Sequence, residues 1–192
     1  KGSLSIGELL IPGRSDQEIL ISTYICHPSL ANDNLSGMLM TAFLARELLK
    51  QSTLKNSYRI IWVPETIGAI AYCALNESKM KKIKSGLVVT TVGGPGCFSY
   101  KQSFDANHPL NSVVEDVLKD EGLEYNKYPF DIRGSDERQY SSQGFRINTI
   151  SLFKDKYYEY PYYHTSLDNL DFISPDDVKQ SLYLHLKILE KI

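Results

Sequence analysis

Apolar positions along the chain switch between two spacings, and the switches outline alternating strands and helices. Residues 4–11 alternate well enough for a strand, and Pro12-Gly13-Arg14-Ser15-Asp16 make a turn. Residues 18–24 read as a second, more buried strand, so the two are expected to pair as a hairpin. Residues 38–50 are the clearest helix. Leu35, Met38, Leu39, Ala42, Phe43, Ala45 and Leu49 supply its i, i+3, i+4, i+7 stripe, and Ser36 or Asn34 can cap it. Residues 58–63 form the continuous apolar run of a central parallel strand. Two helices, 69–75 and a short 78–83, come next. A strand over 86–92 is closed by Gly93-Gly94-Pro95-Gly96, and 97–101 suits an edge strand. Pro109 opens a helix over 109–121 whose stripe is Leu110, Val113, Val114, Val117 and Leu118. Residues 123–128 are extended, 136–143 suit a short helix or a loop, and 148–153 form a strand. Ser174-Pro175-Asp176-Asp177 is a strong helix start. That last helix runs to 192, with Val178, Leu182, Leu186 and Leu189 expected inward.

Strands alternating with helices imply an α/β sandwich on a largely parallel sheet. The length of 192 residues suits one domain with a sizeable core. No break, repeat or low-complexity segment divides it. Lys1 stands where a Met would start a chain, and the first residues are already strand-like, so a piece of a longer polypeptide is expected. A net charge of −2 without a basic stripe argues against nucleic acid. No apolar run reaches the roughly 18 residues of a membrane span, and no secretory leader is visible. Three cysteines, Cys26, Cys73 and Cys97, lack CxxC spacing and read as reduced, buried thiols of a cytoplasmic protein. The connection over 154–171 is longer than ordinary loops and holds several of the 13 tyrosines, which points to function.

Strand ends in such sheets are where ligands bind. The first central strand delivers His27 and Asp33, the next Glu65, the third only Thr90, Thr91 and glycines, and the last the loop with His164. His and carboxylate from separate strand ends is the composition of a zinc site that keeps one position open. Glu65 would then be free to move a proton. Each residue also has a plainer role: Asp33 or Glu65 could cap the following helix, His27 could satisfy loop backbone, and His164-Thr165-Ser166 could simply turn. The tyrosines of 157–163 could line a pocket or face a partner. His108 and His185 read as structural. No Gly-x-Ser-x-Gly frames a serine nucleophile, and nothing separate activates Cys26.

Taken together, His27…Ala31-Asn32-Asp33-Asn34-Leu35-Ser36-Gly37, the strand ending in Glu65, and His164-Thr165-Ser166-Leu167-Asp168 resemble the M28-type zinc aminopeptidases. More closely, Val63-Pro64-Glu65-Thr66, the loop Arg133-Gly134-Ser135-Asp136-Glu137-Arg138, and the stretch from Glu159 to Asp168 resemble a bacterial aminopeptidase-like subgroup. That subgroup is filed under domains of unknown function (DUF4910, DUF2172) and is sometimes associated with polysaccharide biosynthesis. The resemblance implies a three-layer zinc-exopeptidase-like sandwich, with a mixed, mostly parallel sheet and helices on both faces. It implies that residues 1–192 are a single aminopeptidase-like domain. It matches His27, Asp33 and His164 to metal ligands and Glu65 to the general base. It also marks departures: Thr66 stands where a ligand Glu is expected, and Thr90 or Thr91 where a ligand Asp is.

Two missing carboxylates favour one metal over two, because a two-metal site needs several acids to neutralise it. The expected function is therefore a one-zinc amide or peptide hydrolase of aminopeptidase type, with a small peptide or aminoacyl substrate. Asp136, Glu137, Arg138, Tyr163 and Asp168 are expected to bind substrate or to support the ligands. The alternatives are a one-zinc acyl-transfer or cyclase-type enzyme, or a degenerate member that binds without turnover.

Overall fold

The computed structural model describes residues 2–131 and 133–192. Lys1, on which the expectation of a longer chain rests, lies outside the described residues. The strands are β1 (Gly7–Ile11), β2 (Glu18–Tyr24), β3 (Ser57–Val63), β4 (Ile83–Val89), β5 (Phe98–Lys101), β6 (Tyr125–Tyr128) and β7 (Thr149–Phe153). The helices are α1 (Gly37–Leu49), α2 (Ile67–Leu75), α3 (Glu77–Met80), α4 (Pro109–Asp120), α5 (Glu137–Tyr140) and α6 (Pro175–Lys191). One seven-stranded sheet has the order β1-β3-β2-β4-β7-β5-β6. Strands β3, β2, β4 and β7 run parallel, whereas β1 and β5 pair antiparallel with β3 and β7.

The period of two in the central strands feeds both faces of the sheet. Ile19, Ile21, Ile60, Leu87 and Val89 point into a core shared with α1, α4 and α6. Leu20, Ile61, Val63 and Val88 point into a second core beneath α2, α3 and α5. Each such side chain removed from water contributes roughly 1.5–3 kcal/mol. Burial on both faces explains why these strands read as continuous apolar runs.

Several boundaries and pairings differ from expectation. The hairpin of β1 with β2 does not form; β1 pairs with β3 instead. The turn after β1 binds the entry to β3, with Arg14 N–H donating to Leu54 O and Gly13 N–H to Ser57 Oγ, both 2.9 Å. That leaves β2 free to take parallel partners on both sides, as its seven buried residues require. The segment 97–101 is not an edge, because β6 pairs with β5 and lies outside it. Strand β4 begins at Ile83, so the short helix before it ends at Met80, and the chain leaves the sheet before Thr90. On α6 the fully buried positions are Ser181, Leu184, His185, Ile188 and Leu189, while Val178, Leu182 and Leu186 are only partly buried. Ser181 and His185 face inward because their polar atoms are used: Ser181 Oγ donates to Val92 O, and His185 Nδ1 lies 2.7 Å from Ser181 O. Only Cys73 of the three free cysteines is buried; Cys26 and Cys97 are exposed, because both sit on segments beyond strand ends. Among the described residues no helix is long and apolar enough to cross a membrane.

Candidate metal centre

Four parallel strands place four carboxyl ends on one side of the sheet, and the polar residues gather there. The chain leaves β2 through His27 and makes an irregular turn over Ala31–Ser36 before α1. Neither Asn34 nor Ser36 caps α1 through its side chain. Both tie the turn to the sheet instead. Asn34 Nδ2 donates to Thr23 Oγ1 (2.7 Å) and its Oδ1 accepts from Thr91 N–H (3.3 Å). Ser36 Oγ donates to Asn32 O and accepts from Val92 N–H. Gly37 permits this, since a Cβ there would sit 2.3 Å from Asn34 Oδ1.

Asp33 is 1 % exposed at the centre of this turn. Tyr24 OH donates to its Oδ1 at 2.5 Å and lies equally close to Thr90 Oγ1. Burial, reinforced by the Asp33 charge, pushes the Tyr24 hydroxyl well above its usual value and keeps it protonated. Asp33 Oδ2 is buried without a hydrogen bond and lies 3.0 Å from His164 Nε2. An orphaned buried carboxylate oxygen is costly, and a cation between it and an imidazole nitrogen would satisfy both. His27 joins them: donor atoms of His27, Asp33 and His164 all lie within 4.8 Å of one another. The His27 and His164 rings are 5.1 Å apart, and Tyr163 stacks on His164 at 3.9 Å.

Glu65 stands beside this group, its Oε2 3.8 Å from His27 Nε2. Burial raises its carboxyl, opposed by Ser135 and then by His27, with Asp33 and Glu137 adding to the rise. The turn carrying it is pinned at both ends: Glu65 N–H reaches Cys26 Sγ (3.1 Å) and Thr66 N–H donates to Asp136 Oδ1 (2.7 Å). Thr66 has φ +61°, Ser29 +64°, Thr91 +45°, Tyr158 +67° and His164 +55°. Five of the six described non-glycine residues with positive φ thus sit on the loops at these strand ends. Strained backbone gathers where a constellation is held against its local preference.

Asp168 braces the centre from the long loop. Its carboxylate accepts from Asn32 N–H (2.6 Å), Asp33 N–H (3.0 Å) and Tyr160 OH (2.9 Å), and its carbonyl accepts from Ala31 N–H (2.9 Å). Asp168→Asn leaves at least one buried N–H without its acceptor. It is expected to cost about 1–3 kcal/mol in a denaturation titration. Metal affinity in a chelator competition should fall about 10–100-fold.

The remaining acids lie behind the centre. Glu137 is fully buried; its Oε2 accepts from Ser135 N–H and Ser151 Oγ–H, and its Oε1 lies 3.3 Å from the Lys101 ammonium. Arg138 Nε donates to Ser135 O. Asp136 is also fully buried, with Oδ2 unpartnered, and burial pushes its carboxyl up to about 7 against the Thr66 N–H bond. The unfolded chain loses this proton near 3.8, so the folded state alone retains it between about pH 4 and 7. The contribution of Asp136 to stability therefore falls as pH rises through that window. Asp136→Asn keeps the acceptor for Thr66 and should remove the slope. Melting of the metal-free protein should show the variant gaining on wild type by a few kcal/mol between about pH 4 and 8.

Tyr24, Asn32 and Asp155 belong to this network although nothing local in the sequence marks them. Asn32 Nδ2 donates to Asp155 Oδ2 (3.1 Å) while its Oδ1 accepts from Gly93 and Gly94 N–H. Burial raises Asp155 to about 6.

A family model described as a domain of unknown function (DUF4910) matches residues 1–192. A Clostridium acetobutylicum protein is 44% identical over 191 residues, all of this chain and 44% of that protein; its name describes it, provisionally, as a polysaccharide biosynthesis protein with an aminopeptidase-like domain. The chain thus spans less than half the length of that relative. A crystal structure from C. acetobutylicum, provisionally described as a peptidase, superposes with a TM-score of 0.93 at 42% identity, covering 96% of this chain and 43% of that one. BSAP, a zinc aminopeptidase of Bacillus subtilis, gives 0.79 at 18% identity over 97% of this chain and 49% of its own. A Porphyromonas gingivalis glutaminyl cyclase gives 0.79 at 13% identity over 98% and 77%. These last two likenesses are of fold.

Proposed function

The chain belongs to the DUF4910 family, and on that premise we propose that it is an amide hydrolase of aminopeptidase type working with one zinc ion. One observation carries this reading: the buried, unpartnered Asp33 Oδ2 set against His164 Nε2, with His27 within ligand reach. Two neutral imidazoles and one carboxylate suit zinc and leave a fourth position open. Bound zinc supplies Lewis acidity and brings the ionisation of a water near neutrality.

His27, Asp33 and His164 would hold the ion. Tyr24 and Asp168 fix Asp33, and Tyr163 fixes the His164 ring. Glu65, raised by burial, takes a proton from the attacking water and returns it to the departing nitrogen. A groove of about 430 Å³ beside His27, walled by Ile25, Pro28, Leu35, Met38 and Leu170, suits an apolar substrate side chain. The test is metal analysis with turnover on aminoacyl amides and, given the relative's name, glycan-linked amides. One bound zinc with turnover supports the reading; protein without zinc, or zinc without turnover on any amide, contradicts it.

A second reading is cyclisation of an N-terminal glutamine with the same donor set. It is favoured by the likeness of fold to the P. gingivalis glutaminyl cyclase over 98% of this chain and 77% of that one; Thr66, and Thr90 or Thr91, standing where the aminopeptidase resemblance expects acidic ligands, suit one metal in either reading. Loss of ammonia from a glutaminyl peptide, without chain cleavage, would select it.

A further inference from the structure

The ladder between β2 and β3 runs one rung past Tyr24, where Ile25 N–H donates to Val63 O (3.0 Å). Beyond that rung the two segments part, one toward His27 and the other toward Glu65. Pro64 has no N–H to offer, so the next donor on the second segment is Glu65 N–H. It is taken by Cys26 Sγ, 3.1 Å away, rather than by a carbonyl. The same sulfur lies 3.3 Å from His27 Nδ1. Donor atoms of Cys26, His27 and Glu65 all fall within 4.8 Å of one another. One exposed sulfur thus joins the side chain of a candidate ligand to the backbone of the candidate base.

An imidazole in the right plane can still be wrong by half a turn, because rotation about Cβ–Cγ exchanges its two edges. The Tyr24 and His164 rings flank His27 at 4.9 and 5.1 Å and limit its plane without distinguishing those edges. Glu65 Oε2, at 3.8 Å, is beyond hydrogen-bond distance of Nε2. Among the described residues, the hydrogen bond that marks one edge is the one with Cys26 Sγ. A neutral imidazole carries one proton, and a nitrogen that binds a metal must be the one without it. With Sγ receiving Nδ1–H, the lone pair is on Nε2. Ligand histidines usually donate their second N–H to a carboxylate, a carbonyl or water. Here a thiol stands in that place.

We propose that Cys26 is a positioning residue for the metal centre. Its sulfur accepts from His27 Nδ1–H, which leaves Nε2 as the ligand nitrogen, and from Glu65 N–H, which sets the base beside that nitrogen. The proposal deepens the hydrolase reading and rests on it for the ion and for the role of Glu65. The choice of ring nitrogen is tested without metal or turnover.

Cys26→Ala and Cys26→Ser are compared with wild type on the full chain. Both alter an exposed residue and should fold normally; serine keeps an acceptor at the position and alanine does not. Long-range proton–nitrogen correlation spectra of the zinc-free protein, at about pH 8.5 and so above the usual histidine range, show which His27 nitrogen carries the proton. Wild type and Cys26→Ser should carry it on Nδ1, and Cys26→Ala should show both forms. In a chelator competition Cys26→Ala should bind zinc about 10–100-fold more weakly, and Cys26→Ser should recover most of the loss. With zinc saturating, Cys26→Ala should cleave an aminoacyl amide about tenfold more slowly through kcat, with KM little altered. The cobalt-substituted wild type should lack the near-ultraviolet band of a metal-bound thiolate; its presence makes Cys26 a ligand and overturns the proposal. A wild-type ring protonated at Nε2 also overturns it. So does a Cys26→Ala protein that melts lower yet keeps the wild-type tautomer and zinc affinity. A Cys26-dependent tautomer in a chain that binds no zinc supports the hold of the sulfur on His27 and overturns the one-zinc reading.

Discussion

Replacing Asp33 by Asn is expected to lower zinc affinity more than about 100-fold, beyond the loss typical of removing a mere supporting contact. Asp33 is the only carboxylate in the His27–Asp33–His164 group. Its Oδ1 accepts from Tyr24, so Oδ2, which has no hydrogen bond, is the atom left to meet an ion if one binds. Asparagine keeps an acceptor for Tyr24 and removes the charge. Far-UV circular dichroism should not change, because Asp33 does not cap α1. Without metal the variant should melt no lower than wild type, since the amide keeps the acceptor for Tyr24 and can donate to His164 Nε2 from the place of Oδ2. A helix-capping role gives the opposite pattern: unaltered zinc affinity and lower stability.

Glu65→Gln should lower kcat by about 10²–10⁴ with KM little altered, the signature of a lost proton-transfer group. Zinc content should be retained, because the three-ligand group does not include Glu65. Burial holds the Glu65 carboxyl above its ordinary value. The acid limb of the wild-type rate profile should therefore lie above the usual glutamate range and disappear in the variant. Loss of zinc together with activity would instead make Glu65 a ligand, through the neighbouring grouping of Cys26, His27 and Glu65.

The grouping of His27, Asp33 and His164 was legible because its marks are local. Gly37 after Ala31-Asn32-Asp33-Asn34, and Asp168 four residues after His164, are short motifs at the ends of strands whose apolar runs are unmistakable. Of the supports, Asp168 was legible through the same motif; Tyr24, Asn32 and Asp155 were not, because they join positions far apart in the chain. Tyr24 and Thr90 are 66 residues apart and meet only because β2 and β4 are neighbours. The pairing of β1 with β3 likewise depends on the 12–16 turn binding residues 54–57, which no periodicity reveals. On α6, buried Ser181 and His185 broke the apolar stripe, so Leu189 faces inward as expected while Val178, Leu182 and Leu186 are only partly buried.

Anomalous scattering at the zinc edge, from crystals of protein purified without added chelator, addresses the one-metal centre directly. A single peak bounded by His27, Asp33 and His164 is the expected result. A second peak toward Thr66 and Thr90, or no peak among the three ligands, would contradict it.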